Sequence, residues 1–310
     1  MGKLNKTSIK MIVDKVSKEV VTVNLEVSFV PNVKSLNNKI SKERVLGKRY
    51  IDIDGFAVLY NEEKLVIMSE TDIKFPENCS EMFQGVTLRS INFNGVDTTS
   101  VYDMSYMFEA SYIEKGIRFT RDFVTDRVTD FGWMFHKHIE DENAVFDLSN
   151  FNTMNAKYMS GMFDTFRGML KGKCLGDNFI TENVTHMDMM FKECYFYEEF
   201  TLGDRFDTRN LESFKRVIDN CHVRGNISFG DNFYTISKGK YLEPKYLSLV
   251  DEYEDYSIDI GKHFLIPNKE VINLNKILKV NCGIMAERIS ERVQIEDRGE
   301  LSLVKIVDKG

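Results

Sequence analysis

A methionine followed by a phenylalanine returns along this chain at nearly constant intervals: Met107-Phe108, Met134-Phe135, Met162-Phe163 and Met190-Phe191, with Val217-Ile218 in the fifth place. Successive spacings are 27, 28, 28 and 27 residues. An earlier Met82-Phe83, in PENCSEMFQG, opens a shorter leading copy. A period of this size marks a repeat architecture, in which one unit cannot cover its own apolar face and must stack on its neighbours. The units run from near residue 74 to near residue 236.

Within VDTTSVYDMSYMFEAS (96–111), Val101, Met104, Met107 and Phe108 fall at i, i+3, i+6 and i+7. That spacing predicts one apolar face of a short helix. The preceding Asp-Thr offers a side-chain oxygen to cap its first turn. The segment ahead of each core motif, such as GIRFTRDF, AVFDLSNF or FTLGDRF, is too short for a helix and reads as one strand closed by a turn. The expected fold is therefore an α/β repeat of strand plus short helix, its Met-Phe pairs forming an internal ladder in which methionine absorbs small mismatches of spacing.

These units resemble the BspA-type leucine-rich repeats of bacterial surface proteins, whose repeat looks like F-D-T-S-N-V-T-D-M-S-x-M-F-x-x-C. Asp97-Thr98 through Met107-Phe108, Asn183-Val184-Thr185 with Met187 through Cys194, and Phe206-Asp207-Thr208 carry the resemblance. It implies a leucine-rich-repeat-like solenoid used for binding, with no catalytic residue to carry over. Unlike the usual members of that family, this chain is expected to carry no leader, wall anchor or long Ser/Thr-rich stalk.

The repeats divide the chain into residues 1–73, 74–236 and 237–310. The first segment reads as an α+β domain or cap, with a helix in SIKMIVDKVSKEV, a strand in VTVNLEVSFV and a hairpin about Asn61-Glu62-Glu63. The last reads as a second α+β domain or cap, with a helix in EVINLNKILKVN and a hairpin about Arg298-Gly299. Stacked repeats need such ends.

Charge and motifs narrow the function. Residues 74–236 hold 25 acidic against 17 basic side chains, the opposite of the basic footprint that phosphate neutralisation demands, so no direct nucleic-acid contact is expected. The start is broken by charges and no run approaches the length of a membrane helix, so neither a signal peptide nor a membrane span is expected. A cytoplasmic protein follows, or a cell-surface one if a leader was removed. The five cysteines are widely spaced, with no Cys-x-x-Cys pair, which suits reduced buried thiols. Cys194 and Cys221 share one repeat position and should be neighbours. His136-Lys137-His138, near Glu140, Asp141 and Glu142, reads as a solvated turn rather than a metal site. The acidic run DEYEDYSID (251–259) reads as a solvated loop. No phosphate loop, dinucleotide fingerprint, nucleophile elbow or zincin motif is present, so no enzyme activity, cofactor or metal is expected.

What remains is binding to another protein. On a helical wheel, the residue before each Met of the pair lies opposite the buried face. Those residues are Tyr106, Trp133, Gly161, Met189 and Arg216, and aromatic, Met and Arg side chains are the types enriched at interface hot spots. The strand face is a second candidate surface, with Arg118, Thr120, Asp147, Thr201 and Ser228 outward. The expected function is a non-enzymatic protein-binding solenoid inside the cell, suited to a phage or mobile-element inhibitor of a host defence protein. A bacterial surface adhesin fragment without its leader is the second reading. An enzyme or nucleic-acid-processing factor, active in a flanking segment, is the third.

Overall fold

The computed structural model describes residues 4–170, 175–238, 240–241, 249–250, 258–259, 265–267, 293–298 and 301–306. Its first elements are helix α1 (Lys6–Val16), strand β1 (Glu26–Val30), helix α2 (Leu36–Val45) and strands β2 (Arg49–Ile53), β3 (Phe56–Tyr60) and β4 (Lys64–Met68). Asn5 caps α1 through its side chain, which accepts from the Ser8 N–H, and Ile9, Ile12 and Val16 bury its apolar stripe. Two hairpins join β2, β3 and β4, about Asp54-Gly55 and Asn61–Glu63. The positive φ of Gly55 suits the first turn. Helix α2, polar along most of its length, packs Ile40 into a small separate cluster with Ala57, Leu59 and Met68.

Strand β1 lies between β4 and Ser90–Asn92, parallel to both, and Ile117–Arg118 pairs beyond Ser90–Asn92. The N-terminal segment and the first repeats therefore share one six-stranded sheet. One hydrophobic core runs from Leu4 to Phe233 without a break.

The predicted strand-plus-helix repeat is corrected by the structure. Among the described residues the only α-helices are α1 and α2, and both precede the repeats. Each Met-Phe segment is instead a pair of tight turns inside a stack of short parallel strands and bridges. Bridges at Asn78, Asp103, Asp130, Tyr158, His186 and Ser213 join successive rungs. So do those through Tyr112, Ile139, Arg167, Tyr195 and His222.

The turns work because left-handed backbone recurs twice per unit. The residue before each Met has φ between 56° and 62° from Tyr106 through Trp133, Gly161 and Met189 to Arg216, and a second set four residues on (Ala110, Lys137, Thr165, Glu193, Asn220) has φ between 52° and 57°. No α-helix survives such residues. Backbone donors then alternate. The N–H groups of Phe131, Trp133, Phe135 and Lys137 donate to the carbonyls of Tyr158, Ser160, Met162 and Asp164 on the next rung, whereas those of Met134, His136 and His138 donate three residues back within the turn. Strand rungs repeat about every 4.8 Å, and packed helices need about 8–10 Å. Turns let this side of the stack keep the strand spacing.

Side chains keep it too. Phe83, Phe108, Phe135, Phe163 and Phe191 stack ring on ring with centroids 5.4 to 5.7 Å apart. Each near-parallel pair adds about 0.5–1.5 kcal/mol to its burial. The threonines that recur at one position of the repeat do not cap turns. Thr125, Thr153, Thr181 and Thr208 each donate a hydroxyl to a carbonyl on the next rung (Asn152, Ile180, Asp207 and Tyr234) and accept that same residue's N–H. Parallel pairing continues past residue 236: Leu249–Val250 joins Cys221–Val223, and Ile258–Asp259 joins Ile227–Ser228. Val293–Arg298 and Leu301–Ile306 form the expected antiparallel hairpin. The helix expected in EVINLNKILKVN and most of the acidic run lie outside the described residues.

Candidate functional site

The row named from the helical wheel is a surface row, although no wheel generates it. Tyr106, Trp133 and Met189 are half-buried, Arg216 is exposed and Gly161 is buried. Their left-handed backbone turns each side chain away from the stacked phenylalanines, at the same place on successive rungs.

Trp133 is the centre of the row. The Tyr106 ring lies parallel to the indole at 6.3 Å, with 5° between the planes. On its other side is Gly161, where an added Cβ would come within 2.4 Å of the indole. The absence of a side chain at 161 is what lets the ring lie flat. His136 meets the indole edge-on at 4.8 Å, and its Nδ1 is 2.9 Å from Glu109 Oε1. Burial, then the charges of Glu109 and Asp130, pushes the Tyr106 phenol above its ordinary range. The Asp130 carboxyl is also raised, chiefly by burial and against the pull of the Gly132 N–H. Met189 continues the row one rung past Gly161, and Arg216 ends it, its Nε 3.0 Å from Asp219 Oδ2. Tyr158, 47% exposed and 5.3 Å from His186, flanks the row.

Arg118 and Asp147 belong to a different face. They line an open groove of about 1130 Å³ together with Asn92, Lys115, Arg121 and Asn150. Thr120 is in it as well. Thr201 and Ser228, paired with each other further along the stack, are not. The structure thus places Tyr106, Trp133, Met189 and Arg216 on one surface and Arg118 and Asp147 on another, with the Tyr106 and Trp133 rings stacked.

Two clusters escaped the sequence reading. On the strand face, Tyr195 stacks on His222 at 5.1 Å, and the Arg224 guanidinium lies over the rings of Tyr195 and Tyr197, at 5.5 and 5.3 Å. Period-two alternation in Tyr195-Phe196-Tyr197 and His222-Val223-Arg224 was its signal.

The second cluster is internal. His138 is fully buried, which corrects the expectation of a solvated turn at His136-Lys137-His138. Its Nδ1 is 2.6 Å from Ser111 Oγ and its Nε2 3.2 Å from Glu140 Oε1. Ser111 and Glu140 are also buried, and Glu140 Oε2 has no hydrogen-bond partner. A serine, a histidine and a carboxylate in line suggest a hydrolytic relay. Here, however, Ser111 Oγ donates to the Phe108 carbonyl at 2.6 Å. The chain is enclosed by Phe108, Phe135, Phe146 and Phe166, and no substrate atom can reach the hydroxyl. Among the described residues no group of His, Cys, Asp and Glu could hold a metal ion, and no helix is long and apolar enough to cross a membrane.

Residues 77–195 and 147–227 match a family model described as "Mycoplasma protein of unknown function, DUF285". Together the matched spans run from residue 77 to residue 227, including Tyr106, Trp133, Met189 and Arg216, and leave both flanks outside. No curated protein and no solved structure matches the chain.

Proposed function

We propose that this chain is a non-enzymatic protein-binding module whose contact surface is the turn face centred on Trp133. The observation that carries the proposal is the indole held between Tyr106 and Gly161, part-exposed on a backbone fixed by hydrogen bonds to both neighbouring rungs. Aromatic side chains already ordered before binding lose little entropy in the complex. Met189 offers an adaptable apolar contact beside them. The likeness of the Met-Phe segments to BspA-type repeats supports a binding role. The proposed setting is intracellular, as a blocker of a host protein; exposure of the chain to protease on intact source cells would favour the adhesin reading instead.

The test uses the immobilised protein against source-cell lysate, in three forms: wild type, Tyr106→Ala/Trp133→Ala and Arg118→Ala/Asp147→Ala. The partner held by the wild type should be lost by the first variant and kept by the second. Each aromatic hot spot is worth about 2 kcal/mol, roughly 30-fold in affinity. Trp133 is the only tryptophan, so its emission reports the purified partner directly. Undiminished capture by a folded aromatic variant rules out this face.

A further inference from the structure

We infer that Cys194 and Cys221 are a disulfide-forming pair that closes covalently across two neighbouring rungs. Both thiols are free and buried, and their Sγ atoms are 2.7 Å apart. A disulfide needs about 2.05 Å, so the sulfurs have only a few tenths of an ångström to travel.

The backbone is already set for the bond. Tyr195 and His222, the residues that follow the two cysteines, are parallel-strand partners, and the His222 N–H donates to the Cys194 carbonyl at 2.8 Å. Adjacent strands lie about 4.8 Å apart, inside the Cα separation of about 4.4–6.8 Å that disulfides span. The equivalent positions on the three preceding rungs hold Ser111, His138 and Phe166. Among the described residues, 194 and 221 are the one pair of equivalent positions on neighbouring rungs that both hold cysteine. Cys79 is buried apart from them and donates its thiol to the Pro76 carbonyl.

The oxidant is a hydroperoxide. One thiolate attacks the peroxide oxygen, giving a sulfenic acid and, with hydrogen peroxide, one water. The second sulfur then attacks the sulfenic sulfur and expels hydroxide, which takes up the second thiol's proton as another water. Two electrons pass from sulfur to peroxide, and the protein loses two hydrogens. Both sulfurs are buried, so peroxide reaches them only when the rung opens and the reaction is slow; burial also raises the Cys194 thiol well above its ordinary range. The product pins the rungs that carry Tyr195, Tyr197, His222 and Arg224.

The experiment uses the full chain, reduced and then incubated with hydrogen peroxide. Remaining thiols are blocked with maleimide under denaturing conditions, and the protein is mapped by non-reducing peptide mass spectrometry. The expected result is a Cys194–Cys221 cross-link, a mass lower by two hydrogens and a Tm raised by several degrees that returns on adding dithiothreitol. Cys194→Ser should abolish all three. Blocked thiols at both positions after oxidation, or a cross-link that joins either cysteine to Cys79, Cys174 or Cys282 instead, overturns the inference.

Discussion

The buried chain Ser111–His138–Glu140 makes a quantitative prediction that separates a structural network from an incidental one. Replacing His138 by Phe, the residue at the same position one rung on (Phe166), strands both oxygens of a carboxylate that is 2% exposed. Leaving a buried carboxyl without its one hydrogen-bond partner costs about 1–3 kcal/mol. Replacing Glu140 by Leu, the residue two rungs earlier (Leu88), has opposing effects. It leaves His138 Nε2 without a partner, at about 1–3 kcal/mol, and removes the orphaned Oε2, which carries a similar penalty already. The net change for Glu140→Leu alone is therefore small, within about 1.5 kcal/mol.

The double variant His138→Phe/Glu140→Leu removes every stranded atom and fills the space with carbon. It should recover most of the loss from His138→Phe, ending within about 1 kcal/mol of the wild type or above it. Urea denaturation at neutral pH, with the slope checked for constancy across all four proteins, gives the coupling energy. A favourable coupling of about 1–3 kcal/mol is expected, against about 0.5 kcal/mol for independent sites. Additive single effects would falsify the network. Loss of fold in the double variant but not in the singles would refute the claim that its polarity is dispensable.

Four further outcomes follow from single contacts. Gly161→Ala forces a Cβ into the indole at a left-handed position of φ 62°, so Trp133 emission should shift to the red and stability fall by about 1–2 kcal/mol. Thr153→Val strands both the N–H and the carbonyl of Ile180, at about 1–3 kcal/mol per group, and should lower the urea midpoint more than Thr99→Val at an exposed turn. Glu43, held at about 2 instead of 4.5 by its hydrogen bonds to Lys39 and Lys48, stabilises the folded state fully above pH 4.5 and loses that contribution as pH falls towards 2; the Tm gap between wild type and Glu43→Gln should therefore close over that window. Arg216→Asn, at a left-handed position that asparagine tolerates better, should leave stability unchanged or raise it by up to about 1 kcal/mol, as read from urea midpoints.

The repeat, its register and its buried face were legible because they depend on residue spacing. Val101, Met104, Met107 and Phe108 are all in the core, and Cys194 does meet Cys221. The helix was not legible because i, i+3, i+6, i+7 describes two consecutive tight turns as well as it describes helix. What distinguishes them is the sign of φ at Tyr106 and Ala110, and neither residue type announces a left-handed conformation. Helix α2 escaped notice for the opposite reason: Leu36–Val45 is polar almost throughout, and a single buried isoleucine gives no periodicity to find. His138 and Glu140 looked like surface residues because charge and polarity are ordinarily outside. The ladder places them inside, where His138 Nε2 meets Glu140 Oε1.

The two left-handed rows differ in a way that folding alone does not explain. Both require φ near +55°, which costs an L-residue other than glycine, asparagine or aspartate about 1–2 kcal/mol. The second row holds Gly85, Ala110, Lys137, Thr165, Glu193 and Asn220, small or flexible polar side chains for the most part. The first holds Glu81, Tyr106, Trp133, Gly161, Met189 and Arg216. Bulky aromatic side chains are among the poorest choices for such backbone, and Tyr106 and Trp133 add nothing to the phenylalanine stack beneath them. Strained backbone is a feature of functional surfaces, which accords with the contact surface proposed at these two rungs. Because the hydrogen bonds that hold each rung are made by backbone, the first row can change its side chains rung by rung while the stack stays the same. A surface free to vary on a fixed frame is what a binding module requires.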